Sequence, residues 1–213
     1  MTDPRNRLAY GINDLGLIPS ETMLDQFMLY LQELEKWNQT VCNLTAINRR
    51  EDVIIKHFFD SLLYLQAMPA QAKTVADIGS GAGFPGVPIK LVCPEIRLTL
   101  IESSEKKCAF LRHIVRQLQL KDIIVVHSRL ENYAQTNVFD AVLSRALYSL
   151  KELADKTARL LTEHGAIIVS KGPKVQEELA ALVDYSFQVN ICSLPLTNIQ
   201  RRLVTVRLKT MRQ

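Results

Sequence analysis

Between positions 75 and 86 the chain reads Val75-Ala76-Asp77-Ile78-Gly79-Ser80-Gly81-Ala82-Gly83-Phe84-Pro85-Gly86, an apolar run that ends in alternating glycines. Glycines at a strand-to-helix turn let the backbone approach a ligand closely, and the first N–H groups of the following helix favour anionic groups. The spacing narrows the ligand. A dinucleotide fingerprint, G-x-G-x-x-G, needs glycine where this chain has Phe84, which makes a nicotinamide oxidoreductase the least favoured reading, and no G-x-x-x-x-G-K-[ST] occurs. What remains is Asp77 two residues ahead of Gly79, Gly81 and Gly83, joined by Glu102 at the end of the run Leu98-Thr99-Leu100-Ile101-Glu102. A carboxylate at the carboxyl end of the neighbouring strand can accept hydrogen bonds from both hydroxyls of a ribose.

Cations follow the same logic. Arg129, Arg145 and Lys171 each end a strand-like run, the edge where open α/β sheets bind ligands, and they form the best anion-binding set in the chain. Lys106, near the start of the helix after Glu102, extends that set, with a solvated helix face as its other reading. Arg145 has a competing reading as the partner of Asp140 or another acid at a strand end. His57 lies on an apolar helical face and is read as a hydrogen-bonded structural residue, so no acid/base dyad emerges. Cys42, Cys93, Cys108 and Cys192 stand apart, without CxxC pairs or histidines at ligand spacing, so no metal site is expected.

The elements that position these residues are legible in outline. Pro19-Ser20-Glu21 opens an amphipathic helix carrying Leu24, Phe27, Met28, Leu31 and Leu34 and ending near Trp37. A second helical stretch carries Val53, Ile54, His57, Phe58, Leu62 and Leu65 and closes at Pro69; between the two lies the loop Asn43-Leu44-Thr45-Ala46. From residue 74 the pattern alternates: strands at Thr74–Ile78, Arg97–Glu102, Ile123–His127, Phe139–Ser144 and Ala166–Lys171, with helices at 86–93, 105–118, 148–162 and 174–183. Buried Val/Ile-rich strands alternating with helices imply a parallel sheet covered on both faces. Ser186–Leu194 and Leu203–Lys209 have no helix between them and read as an antiparallel hairpin on the sheet edge. The expected organisation is one domain over 1–213, a helical extension at 1–70 leading into a catalytic body at 71–213.

With 213 residues, 47% hydrophobic and 23% charged, the chain can bury a full core without disulfides or metal. Net charge is +4, with the basic excess in the last two thirds, which permits a polyanionic partner. No apolar run reaches the roughly 20 residues that span a bilayer, and the first residues lack the apolar core of a signal peptide, so a cytoplasmic protein without membrane contact is expected.

Taken together, Trp37-Asn38, Asn43-Leu44-Thr45-Ala46, His57 with Asp60-Ser61, the turn from Asp77 through Pro85-Gly86-Val87-Pro88, Ser128-Arg129-Leu130-Glu131, Ser144-Arg145-Ala146 and Lys171-Gly172 resemble one family. That family is the bacterial 16S ribosomal RNA guanine-N7 methyltransferase known as rRNA small subunit methyltransferase G, also called glucose-inhibited division protein B. The resemblance runs from about residue 37 to 172. It implies a Rossmann-like S-adenosylmethionine methyltransferase fold, α/β, with a mostly parallel seven-stranded sheet. It also implies S-adenosylmethionine as cofactor and 16S rRNA or the small ribosomal subunit as partner; no metal and a monomer are the accompanying expectations. Carried over residue by residue, it implies cofactor contacts at Gly79, Phe84, Leu130, Glu131 and Arg145. It implies more general, fold-level contacts at Asp77, Gly81, Gly83 and Glu102; from their placement, Arg145 is the expected catalytic residue and Lys106, Arg129 and Lys171 are the expected RNA contacts. Glu131 also reads as a helix cap. The sequence leaves two alternatives: a small-molecule methyltransferase, which needs no basic rim, and a non-catalytic assembly factor on the same scaffold.

Overall fold

A computed structural model describes residues 3–145, 148–172 and 175–209. Pro at the first helical position starts α1 (Pro4–Asp14), an element with no counterpart in the sequence expectation. α2 (Glu21–Thr40) begins as expected: Ser20 caps it, its hydroxyl accepting the Met23 N–H at 3.1 Å. It runs three residues past Trp37. The second helical stretch is a composite of α3 (Arg50–Val53), a π-helical turn (Ile54–Phe59), α4 (Asp60–Leu62) and a 3-10 turn (Leu63–Gln66).

Seven strands follow among the described residues: β1 (Thr74–Ile78), β2 (Arg97–Glu102), β3 (Ile123–His127), β4 (Phe139–Arg145), β5 (Leu161–Lys171), β6 (Tyr185–Ser193) and β7 (Gln200–Leu208). Their order in the sheet is β3-β2-β1-β4-β5-β7-β6, parallel from β3 to β5, with β7 antiparallel to both β5 and β6. The sheet and its terminal hairpin are as the alternation of strands and helices implied. Order reverses beside β1, which sends β2 and β4 to opposite sides of it and opens a crevice at their carboxyl ends.

Helices α5 (Gly86–Val92), α6 (Glu105–Gln117), α7 (Leu150–Thr157) and α8 (Val175–Leu179) fill the crossovers. β7 starts three residues before the expected Leu203, and two helical boundaries differ more. Helix ends at Thr157 and a 3-10 turn (Ala158–Leu160) leads into β5 five residues early, because Leu161 already pairs with Phe139. The expected helix at 174–183 is reduced to α8, and its first residue, Lys174, lies outside the described residues.

Each sheet face has its own core. On one, Leu98, Leu100, Leu143 and Ile168 pack with Phe27, Tyr30 and Leu34 of α2 and Phe58 and Phe59 of the π-helical turn. On the other, Ala76, Ile78, Val142 and Ile167 pack with Leu150 and Leu153 of α7 and Leu179 of α8. The N-terminal helices are thus one wall of the sheet, and Tyr30 carries that wall to the glycine turn: its hydroxyl donates to the Ala82 carbonyl at 2.5 Å and its ring stacks on Phe84 at 5.4 Å.

Candidate cofactor cleft and arginine cluster

The carboxyl ends of β1, β2 and β3 enclose a cleft of about 440 Å³. Gly79, Glu102, Arg129, Leu130 and Glu131 line it together with Lys107 and Tyr148, which sequence reasoning did not single out. Lys107 sits one position after Lys106 in the first turn of α6, and that adjacency was the available signal; Tyr148 follows the Ser144-Arg145 motif.

Three glycines of the turn take positive φ, +67° at Gly79, +59° at Gly81 and +98° at Gly83. Their duties differ. A Cβ on Gly83 would lie 2.7 Å from the Tyr30 hydroxyl and from a Val87 methyl, so this glycine serves packing. A Cβ on Gly81 would meet nothing closer than the Gly79 carbonyl at 3.9 Å, so the chain leaves open space there.

The carboxylates brace this turn. Glu102 accepts the Gly81 N–H at 2.9 Å on one oxygen and the Ser104 N–H at 2.8 Å on the other, leaving each oxygen a further acceptor site. Asp77 is fully buried; one oxygen accepts the Gly86 N–H at 2.8 Å, while the other has no hydrogen-bond partner among the described residues. Burial, opposed by the Gly86 bond and by Arg145, pushes the Asp77 carboxyl up to about 7. The uncrowded Gly81 and the free lone pairs on Glu102 suit a ligand rich in donors, as the amino group and ribose hydroxyls of S-adenosylmethionine are; Asp77, fully buried, does not line the cleft and braces the turn at Gly86.

Other expected site residues gather elsewhere. Arg145, at the end of β4, lies 5.9 Å from the Phe84 ring centroid. Its guanidinium stands 3.2 Å from His57 Nδ1 and 3.5 Å from Asp60, and donates to the Lys56 carbonyl at 3.3 Å. Asp60 also receives Arg201 at 2.6 Å. Asp140, the competing partner for Arg145, is occupied otherwise, accepting from the Lys73 and Thr74 N–H groups and from the hydroxyls of Thr74 and Thr162. Sequence spacing missed this cluster because Asp60 and Arg201 are 141 positions apart. Ala146 of the Ser-Arg-Ala triplet lies outside the described residues.

The expected RNA contacts divide. Arg129 is exposed at the mouth of the cleft, and Lys106 and Lys107 line an adjoining groove with Ser104 and Asn43. Lys171 turns inward, donating to both oxygens of Glu178 at 2.9 and 3.2 Å and to the Tyr148 carbonyl at 3.0 Å. Glu131 is held by Lys156 at 2.6 Å through one carboxylate oxygen, its side chain half exposed.

The rRNA small subunit methyltransferase G family matches residues 23–202. Curated proteins named ribosomal RNA small subunit methyltransferase G are similar along most of their length. That of Polynucleobacter asymbioticus is 40% identical over 208 residues, 93% of each chain. That of Coxiella burnetii is 36% identical over 201 residues, 94% of this chain and 97% of its own. Among solved structures, a methyltransferase from Geobacter sulfurreducens covers 98% of both chains with a TM-score of 0.60 at 18% identity. TYW2 of M. jannaschii, solved in complex with AdoMet, covers 69% of this chain and 73% of its own with a TM-score of 0.52 at 17% identity. The glycine turn, the strand-end carboxylate and the reversal of strand order beside β1 are therefore features of a member of a known lineage: the chain belongs to the rRNA small subunit methyltransferase G family and is an S-adenosylmethionine-dependent methyltransferase.

Proposed function

We propose that the chain methylates N7 of a guanine in 16S rRNA of the small ribosomal subunit, acting as a monomer in the cytoplasm and as one domain over 1–213. The observation that carries the reading is the placement of the cleft: Glu102, Leu130 and Glu131 line it, and Arg129 and Lys107 stand at the same cleft, where RNA phosphates have to be met.

When bound, S-adenosylmethionine supplies an electrophilic methyl group carried on a sulfonium. Glu102 would accept from the ribose hydroxyls, the open space at Gly81 would admit the methionine end, and the main chain of Leu130 and Glu131 would border the adenine. Guanine N7 offers an in-plane lone pair and no proton, so no residue has to remove one. The work left to the side chains is alignment and charge, since in-line placement of reacting atoms removes much of a barrier by itself. Arg145 supplies a planar, permanently charged fork beside Phe84, suited to a phosphate or to the acceptor edge of guanine.

Small ribosomal particles from a strain lacking this protein, incubated with the enzyme and methyl-labelled cofactor, should acquire one methyl on a guanine, located by mass spectrometry of 16S rRNA fragments. Arg145→Ala and Arg145→Lys should both slow single-turnover methylation by about a hundredfold while melting stays near the parent value. Binding of the particles with no methyl transfer would instead make the chain an assembly factor.

A further inference from the structure

His57 has no task in methyl transfer as described, yet its ring and both of its nitrogens are engaged beside Arg145. It is 8% exposed, sits in the π-helical turn, and stacks its ring on Phe84 at 4.5 Å with planes 13° apart. Both ring nitrogens are paired: Nε2 lies 2.8 Å from Thr45 Oγ1, and Nδ1 lies 3.2 Å from Arg145 Nη1. A guanidinium only donates, so Nδ1 is the acceptor and the ring proton resides on Nε2. That proton goes to the Thr45 hydroxyl oxygen, which also accepts the Ile47 N–H at 3.1 Å. The tautomer follows from the network alone.

Resting on the methyl-transfer reading above, we propose that His57 is a positioning residue for Arg145: a neutral imidazole whose Nδ1 fixes one edge of the guanidinium while its face braces Phe84 at the end of the glycine turn. The other contacts of Arg145 give less direction. Asp60 stands 3.5 Å away and its other oxygen is taken by Arg201 at 2.6 Å, and the Lys56 carbonyl is 3.3 Å away. Asp60 therefore offsets charge, and His57 sets orientation. A protonated ring would turn a second N–H toward the N–H of Arg145 and break the contact. The surroundings prevent this. Arg145 faces the ring from β4, Thr45 from the loop, Phe84 from the turn, and Lys56 and Asp60 flank it in its own helical stretch. Burial first and Arg145 second hold the imidazole down to about 3. Thr45 also lines a cavity of about 840 Å³ with Asn38, Asn43 and Asn48, so the chain Thr45, His57, Arg145 links that loop to the cofactor side.

Two measurements on the full-length protein test this. In nitrogen-15 spectra, His57 Nδ1 should give the signal of an unprotonated ring nitrogen and hold it from about pH 7.5 to about pH 5.5, a window that spans the ordinary imidazole value. A protonated Nδ1, or titration across that range, would overturn the proposal. In single-turnover methylation of small ribosomal particles, His57→Phe keeps the stacked ring and loses both hydrogen bonds. It should slow the reaction about tenfold with cofactor affinity changed by less than about twofold. The same substitution in an Arg145→Ala background should add nothing, because His57 acts through the guanidinium. His57→Asn, which returns an acceptor near Nδ1, should recover part of the rate. Independent, multiplicative losses in the double variant, or an unchanged rate in a folded His57→Phe protein, would sink the idea. A parent enzyme inactive on these particles would fail the functional reading instead, and the nitrogen signals would still decide whether His57 holds Arg145.

Discussion

The two halves of the candidate site are assembled by different means. The glycine turn is held through the main chain: Gly79 N–H to the Ile101 carbonyl, Gly83 N–H to the Ser80 carbonyl, and Gly81 and Gly86 N–H groups to Glu102 and Asp77. The arginine half is held through side chains, with His57 88 positions from Arg145 and Asp60 141 from Arg201. The glycine half, built on backbone N–H groups, is sensitive to a single added Cβ and meets pH only through its bracing carboxylates, whereas the arginine half depends on charge and pH throughout.

The largest expected effects separate two jobs within the glycine turn. Gly83→Ala forces a methyl against Tyr30 and Val87 and should destabilise the fold by about 2–4 kcal/mol, seen as a lowered melting temperature. Gly81→Asp adds roughly 1–2 kcal/mol of backbone strain at φ +59° and should leave a folded protein. That protein should bind no S-adenosylmethionine by calorimetry, since a carboxylate then occupies the open space. Retained affinity in Gly81→Asp would remove this turn from the cofactor site.

The arginine half and Asp77 should show opposite pH signatures. His57 is held down to about 3, so its contribution to stability is present above its unfolded value near 6.5 and is lost as pH falls. Asp77 is pushed up to about 7, so its contribution is present below its unfolded value near 3.8 and is lost as pH rises. Between those unfolded values the two oppose each other, each with a slope of about 1.4 kcal/mol per pH unit at most. Relative to the parent protein, urea denaturation from about pH 4 to about pH 7 should therefore show His57→Phe losing stability and Asp77→Asn gaining it. Parallel curves for the two variants would refute the assignment.

Smaller effects probe the rim. Glu102→Ala should weaken cofactor binding by about 1–3 kcal/mol, the order for hydrogen bonds to a charged acceptor, and an unchanged dissociation constant would place the ribose elsewhere. Arg129→Ala should lower the salt slope of binding to small ribosomal particles by about one unit. Lys171→Ala should leave that slope alone, because its ammonium is already committed to Glu178.

Local patterns carried most of the fold into view. Val/Ile-rich runs bounded by Gly, Pro and polar residues set β1, β2 and β3 at the residues where they occur, and Ser20 announced α2. Alternating glycines followed by Glu102 announced the cleft. What escaped was non-local or lacked a periodic signal. Residues Pro4–Asp14 carry no strong apolar stripe, yet α1 forms because Leu8 and Ile12 are buried against the rest of the core. Lys171 looked like a free strand-end cation, and only the approach of α8 brings Glu178 to it. Asp60 was visible as part of a motif, but its two arginines come from β4 and β7, far along the chain from it and from each other.

The π-helical turn at Ile54–Phe59 also makes the site a matter of chain length. Adding or deleting one residue in a helix rotates everything beyond it by about 100°. A π-turn is the form a helix takes when it holds one residue more than the α repeat, and such turns gather where that displacement is useful. Loss of one codon from this stretch would let the helix relax to ordinary geometry with its apolar residues still able to find the core. Were the lost residue Phe58 or Phe59, His57 and Asp60 would fall two positions apart, about 200° around an α-helix, and no longer share a face toward Arg145. The segment is thus a place where a protein of this design can be disarmed by a one-residue deletion and remain folded.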